Sequence, residues 1–151
     1  MQLKTLYFLS LLLVALALAP AMAHLLELPN KINVSREAYL IVQQNYRGWA
    51  LLGLVIAGAL FSTLILTVKL RQHRRAFLWS LLSFLCIAGT QAVFWTYTAP
   101  ANQATSNWTF MPENWAALRQ QWEFSHAASA GLNLAALVAV ILSVLSWKEP
   151  V

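Results

Sequence analysis

Two short stretches carry the residues best suited to chemistry. In 24-HLLELPNK-31, His24 stands three residues before Glu27, and in 122-WEFSH-126, Glu123 stands three residues before His126. The chain has only five carboxylates, all glutamate, and three histidines, so these mirrored pairs draw on a scarce supply. Residues three apart share one face of a helix. On two antiparallel neighbouring helices, the histidines would meet at one depth and the glutamates at another. Two imidazoles with one or two carboxylates match first-row metal ligation, including the two-His-one-carboxylate arrangement of non-haem iron. His24, Glu27, Glu123 and His126 are therefore the candidate metal ligands, with iron or copper as the candidate metals. Two facing histidines also suit axial ligation of haem, which makes His24 and His126 the candidate cofactor-binding pair. Glu27 and Glu123 are the candidate catalytic groups.

Other uses of the same four residues compete with metal binding. A di-iron bundle needs two further carboxylates from its other helices, and the intervening segments supply none. A metal-free proton-transfer site is one alternative. Structural ion pairing is another, with Glu27 beside Arg119 and Lys31 beside Glu123. A partly solvated interfacial pair of that kind would contribute on the order of 1 kcal/mol.

Such a site needs helices to hold it, and the composition says where they lie. Of the 151 residues, 60% are hydrophobic and 10% charged, far from the quarter charged that is usual in soluble domains. A bilayer takes about 20 apolar residues of helix to cross. Four runs are long enough, giving expected helices at about 5–27, 38–69, 76–97 and 112–147. The expectation is an all-α fold, an integral membrane four-helix bundle forming a single transmembrane domain over 1–151. The lone cysteine, Cys86, allows no intrachain disulfide. The net charge of +5 reflects a basic cluster at 69-KLRQHRR-75 between apolar runs. That is a topology signal, and nucleic acid is not an expected partner.

Lys4, Lys69, Arg71, Arg74, Arg75 and Lys148 fall on one side with the single acid Glu149. Lys31, Arg36, Arg47 and Arg119 fall on the other, balanced by Glu27, Glu37, Glu113 and Glu123. The basic excess should face the cytoplasm. Both termini are then inside, the loops near 28–38 and 98–111 outside, and the membrane is expected to be a bacterial inner membrane. The opening 23 residues also read as a secretory signal, whose cleavage would leave His24 as a copper-chelating amino terminus. The uncharged stretch of about 22 residues exceeds a 7–15-residue signal core, so a retained first helix is expected.

Stripes of small side chains recur every fourth residue, at Ala127, Gly131, Ala135, Ala139 and Ser143 and at Ala15, Ala19 and Ala23. They predict close helix packing, within the bundle or in a homo- or hetero-oligomer. Pro20 should kink the first helix beside the site. Tyr46, Arg47, Gln91, Trp95, Asn102 and Arg119 are the candidate pocket residues, since Gln91 and Trp95 share a face and the others lie at the outer ends of helices. Asn133 is expected to bond across to a neighbouring helix.

The combination of 24-HLLELPNK-31, 94-FW-95 with Pro100 and Asn102, and 115-WAALRQQWEFSH-126 resembles a group of small bacterial four-helix membrane proteins, the anthrone-oxygenase-like family. The fungal oxygenases that give that family its name oxidise polycyclic anthrones to anthraquinones. The resemblance spans nearly the whole chain. It implies an oxidoreductase-type site in a membrane bundle, without assigning individual residues or carrying anthrone over as the substrate. The leading expectation is oxidation of a hydrophobic small molecule that enters from the lipid bilayer. The competing one is a non-enzymatic membrane subunit or scaffold in which the His/Glu quartet is structural. A transporter is disfavoured because no inverted repeat is evident.

Overall fold

The computed structural model describes residues 2–147. Six α-helices run in order: α1 (Leu3–Lys31), α2 (Arg36–Gln43), α3 (Leu52–Lys69), α4 (Arg74–Val93), α5 (Ala99–Ala104) and α6 (Trp115–Ser146). Four stretches are long and apolar enough to cross a bilayer: Leu3–Lys31, Trp49–Lys69, Arg74–Ala104 and Trp115–Ser146. The protein is an all-α membrane bundle. Lys148 and Glu149, which enter the charge comparison, lie outside the described residues.

The long helices close into a ring in which α6 packs on α1 and α4, and α3 packs on the same two helices from the other side. Large side chains such as Phe8, Leu54, Phe61, Leu85 and Leu145 remain exposed around the ring. They form the surface that lipid solvates. Inside, Leu6, Tyr7, Leu66, Leu70, Ala76 and Val140 make one buried layer, and Val14, Ala59, Cys86, Ile87 and Ala136 make the next. Several hydroxyls in these layers bond to carbonyls, because a bare polar group in an apolar interior is costly. Ser143 Oγ donates to the Ala76 carbonyl at 2.8 Å, and Ser83 Oγ to the Ala136 carbonyl at 2.9 Å, each crossing between α4 and α6.

Several sequence expectations need correcting. The run expected as one helix over 38–69 is broken by two short 3₁₀ turns, Gln44–Tyr46 and Trp49–Leu51. Between them Gly48 takes φ of 85°, a left-handed conformation that glycine adopts without steric cost. The third helix does not stop at 97. It passes through a π-helical turn, Phe94–Thr98, into α5. That turn is held to α6 by Thr98 Oγ1 and Ser125 Oγ at 2.7 Å, and by Gln121 Nε2 donating to the Tyr97 carbonyl at 2.8 Å.

The small-residue stripes also behave differently from expectation. Ala139 and Ser143 are buried, but Gly131 and Ala135 are exposed, as are Ala15 and Ala19. A four-residue step overshoots a helical turn by about 40°. Over 16 residues the stripe therefore winds from the lipid side into the bundle. In α1 the inward face is instead Ser10, Val14, Ala17, Ala21 and His24. Asn133 is a further correction, since its Nδ2 donates to the Ser129 carbonyl of its own helix at 3.0 Å.

Candidate functional site

At one end of the bundle the connecting segments form a lid over α1 and α6. Tyr39, Ala101, Trp108, Met111 and Trp122 make its buried core. Residues Ser106, Asn107 and Trp108 all take positive φ, of 49°, 55° and 60°. This uncommon run for residues with a Cβ turns the Trp108 ring edge-on to Tyr39 at 5.1 Å. Asn102 Oδ1 then accepts from two indoles, Trp108 Nε1 at 3.1 Å and Trp122 Nε1 at 2.8 Å. Rather than lining a pocket, as its position in the chain suggests, Asn102 locks Trp122 in place.

Beneath the lid the two histidines meet. The rings of His24 and His126 stack with centroids 4.2 Å apart and planes 30° from parallel. Around His24 stand Tyr46 at 4.5 Å, Trp122 at 5.0 Å and Trp49 at 5.4 Å. Trp122 also lies 4.2 Å from the His126 ring. The pair therefore sits in an aromatic box. His24 Nδ1 and His126 Nε2 are enclosed and have no hydrogen-bond partner. Buried polar atoms are nearly always paired. Ser10 Oγ, Gln43 Nε2, Gln44 Oε1, Arg119 Nε and Glu123 Oε2 are also without a hydrogen-bond partner. What distinguishes the two imidazole nitrogens is that they belong to stacked rings.

The glutamates face a different group. Lys31, at the last turn of α1 and buried, lies 3.2 Å from Glu27 Oε2 and 3.3 Å from Glu123 Oε2. Its Nζ also donates to Tyr46 Oη at 2.8 Å, and that hydroxyl in turn donates to Glu27. Tyr39 Oη donates to Glu123 Oε1 at 2.9 Å. The ammonium stands over the Tyr46 ring at 4.9 Å and the Trp122 ring at 5.4 Å, a cation–π arrangement. Burial holds both phenols above their ordinary pKa, and the carboxylates beside them, Glu123 at Tyr39 and Glu27 at Tyr46, add to the shift. Each phenol therefore stays a donor.

The metal reading can be tested against this geometry. Among the described residues no three His, Cys, Asp or Glu side chains group to hold an ion. The carboxylates are turned toward Lys31 and the tyrosines, so a two-His-one-carboxylate site does not fit. Haem does not fit this arrangement either. Axial imidazoles approach the iron end-on from opposite faces of a macrocycle, whereas these rings lie face against face.

The other sequence candidates disperse. Arg119 does not pair with Glu27. It donates to the Val34 carbonyl at 2.8 Å and packs over Trp115 at 4.6 Å. Trp95 is 69% exposed, edge-on to Phe94 and facing outward. Gln91 bonds to the neighbouring Thr90 hydroxyl, and Arg47 is exposed. Only Tyr46 of the six lines the imidazoles directly.

Sequence reasoning misses the centre of the network. Lys31 enters it only as one member of an ion pair, although it follows Glu27 by four residues and His24 by seven, which places all three on one helix face. Tyr39 carries no signal, because its partner lies 84 residues away. Trp49 and Trp122 look in sequence like membrane-boundary aromatics. Comparison with protein families, characterised proteins and solved structures yields no match to the chain.

Proposed function

We propose that the protein is a membrane oxidoreductase of the oxygenase type, acting on a hydrophobic small molecule at an outward-facing site whose acid–base pair is His24 and His126. The observation that carries this reading is the two orphaned ring nitrogens, His24 Nδ1 and His126 Nε2, enclosed in an aromatic box. A neutral imidazole offers one donor and one acceptor, and the acceptor nitrogen is a general base. In the step assigned to it, a C–H or O–H bond of the substrate breaks. Its electron pair stays on the substrate and its proton passes to the ring nitrogen.

The neighbouring network runs from the imidazoles toward water: Tyr46, packed against the His24 ring, accepts from Lys31 and donates to Glu27. Glu27, with its side chain 46% exposed, connects the network to water and is the group placed to pass the proton on. The resemblance in sequence to anthrone-oxygenase-like proteins supports the oxidative class, with dioxygen as the co-reactant. Where a C–H bond is broken, the electron pair on carbon forms a C–O bond to dioxygen, and the proton held by the imidazole goes to the outer oxygen, giving a hydroperoxide.

The test is oxygen consumption by the purified protein in lipid nanodiscs with a panel of lipid-soluble phenols and ketones. Replacing a general base costs 10²–10⁴-fold in rate. His24→Phe and His126→Phe, which keep the ring stack, are each expected to lower turnover about 100-fold while the protein stays folded. Equal turnover in the wild type and the double variant refutes the assignment.

A second reading rests on Lys31. Its contacts tie the end of α1 to the Tyr46 turn and to α6, as a non-enzymatic membrane subunit would require. Under that reading the histidine variants change nothing that turnover measures.

Orientation is part of the proposal. Lys69, Arg71, Arg74 and Arg75 are exposed at the opposite end from the histidines, and an inner-membrane protein places such an excess in the cytoplasm. The lid then faces outward. In a Cys86→Ala background, Ala104→Cys at the exposed end of α5 should react with a membrane-impermeant maleimide in intact spheroplasts. Labelling only after the membrane is permeabilised reverses the topology.

A further inference from the structure

At the basic end of the bundle the charges do more than orient the chain. Orientation depends on how many Lys and Arg flank the helices, whatever shape they make together. Here Arg74 and Arg75, with His73, Ala76, Leu145 and Ser146, line a cavity of about 460 Å³ between the start of α4 and the end of α6. That volume falls within the roughly 300–1,000 Å³ of small-ligand sites. We propose that this cavity binds the phosphate headgroup of an anionic phospholipid from the surrounding leaflet. The proposal is independent of any chemistry at the histidines.

Charge selects the head group. Arg74 and Arg75 are exposed, and among the described residues neither pairs with a carboxylate. Glu27, Glu37, Glu113 and Glu123 belong to the opposite end of the bundle, and Glu149 lies outside the described residues. A guanidinium presents a planar fork of donors that matches phosphate oxygens. Basic pockets between membrane helices at this kind of surface suit anionic headgroups.

The walls select a lipid over a soluble phosphate. Leu145 is 74% exposed on the lipid-facing surface, so one wall of the cavity continues into the region that acyl chains occupy. Ala76, on the other wall, is 1% exposed, and its carbonyl accepts from Ser143 Oγ at 2.8 Å. That bond closes α4 onto α6 one turn below Ser146 and gives the cavity a floor. A headgroup resting there meets both guanidinium groups while its chains run down beside Leu145. A second cavity, of about 290 Å³, is lined by Val68, Lys69, Arg71 and Gln72. It also has two basic residues, but its walls come from one stretch of chain with no facing helix. It serves as the internal control.

The experiment titrates the full-length protein in detergent with phosphatidylglycerol, or with phosphatidylcholine of the same chains, and counts bound lipid by native mass spectrometry. The wild type should take one phosphatidylglycerol at least about tenfold more tightly than phosphatidylcholine. Arg74→Gln with Arg75→Gln should weaken it about 30-fold, at about fivefold for each basic residue. Lys69→Gln with Arg71→Gln removes the same charge from the same loop, and should weaken it at most about threefold because salt screens charges outside the cavity. Ser146→Trp keeps every charge, fills the cavity, and should abolish the preference for phosphatidylglycerol. All five positions are exposed or half-buried, so the variants are expected to fold.

Equal weakening in the two charge variants would mean a diffuse field without a site, and overturns the proposal. So does wild-type binding in Ser146→Trp, or equal affinity for the two lipids. Glycerol phosphate, the soluble headgroup, should not displace the lipid at equal concentration. Displacement overturns the lipid as the occupant and makes a free phosphate ester the ligand.

Discussion

Lys31→Met should lower the unfolding free energy of the detergent-solubilised protein by about 3–5 kcal/mol, the range observed when one partner of a buried ion pair is removed. The side chains of Lys31 and Glu123 are 5% and 0% exposed, so neither charge retains water to fall back on. Without the ammonium, Glu123 keeps only the Tyr39 hydroxyl as a partner. Glu27 is nearly half exposed and contributes little to the loss. The decisive comparison is the double variant Lys31→Met with Glu123→Gln, which removes both charges and should recover most of the stability. Reversible unfolding in mixed detergent reads both values. A loss below about 1 kcal/mol for the single variant would mean that the pair is solvated and that Lys31 is not the buried centre of the charge network. The expected loss exceeds the modest one that an interfacial pair suggests, because the lid buries what the chain alone places at a membrane boundary.

Asn102→Leu is the second large effect. Its side-chain oxygen serves two indoles, and both Trp108 and Trp122 are buried, at 3% and 4% exposure. An orphaned buried donor costs about 1–3 kcal/mol, so the variant should lose about 2–4 kcal/mol. Tryptophan emission should shift to the red as Trp122 loosens. In a Trp108→Phe background one of the two donors is already absent, and the same substitution should cost about half as much. If the cost is unchanged in that background, the shared acceptor is not the source of the loss.

What the sequence makes legible follows a physical rule. The four apolar runs are visible because membrane burial demands an unbroken series of such residues. The mirrored pairs are legible because helix periodicity converts a three-residue spacing into a shared face, and ring contact between His24 and His126 follows once α1 and α6 pack together. Features set by departures from that periodicity are not legible. The π turn at Phe94–Thr98 inserts an extra residue into the register, so Trp95 no longer shares the inward face that a 3.6-residue helix predicts for Gln91 and itself. The four-residue stripe of small side chains drifts around α6 for the related reason that four is not 3.6. Gly48 stops a helix that composition alone would continue. Tyr39 and Asn102 act across 84 and 20 residues of chain, and no local pattern announces such partners. The carboxylates look like ligands in sequence, but the Lys31–Glu123 ion pair expected there as the alternative is present at 3.3 Å, and the four-residue spacing brings Lys31 to Glu27 as well.

The Lys31–Glu123 contact also bears on how the chain is made. The ribosome delivers Lys31 92 residues before Glu123, and in the interval Glu27, one helical turn away, is the carboxylate beside it. The ammonium waits at the membrane boundary while α3 and α4 are threaded. Only when α6 inserts does the second carboxylate arrive, bringing His126 with it. Closure of the charge network and completion of the imidazole pair are thus a single late event in biosynthesis, and a chain stalled before its final helix carries half of each.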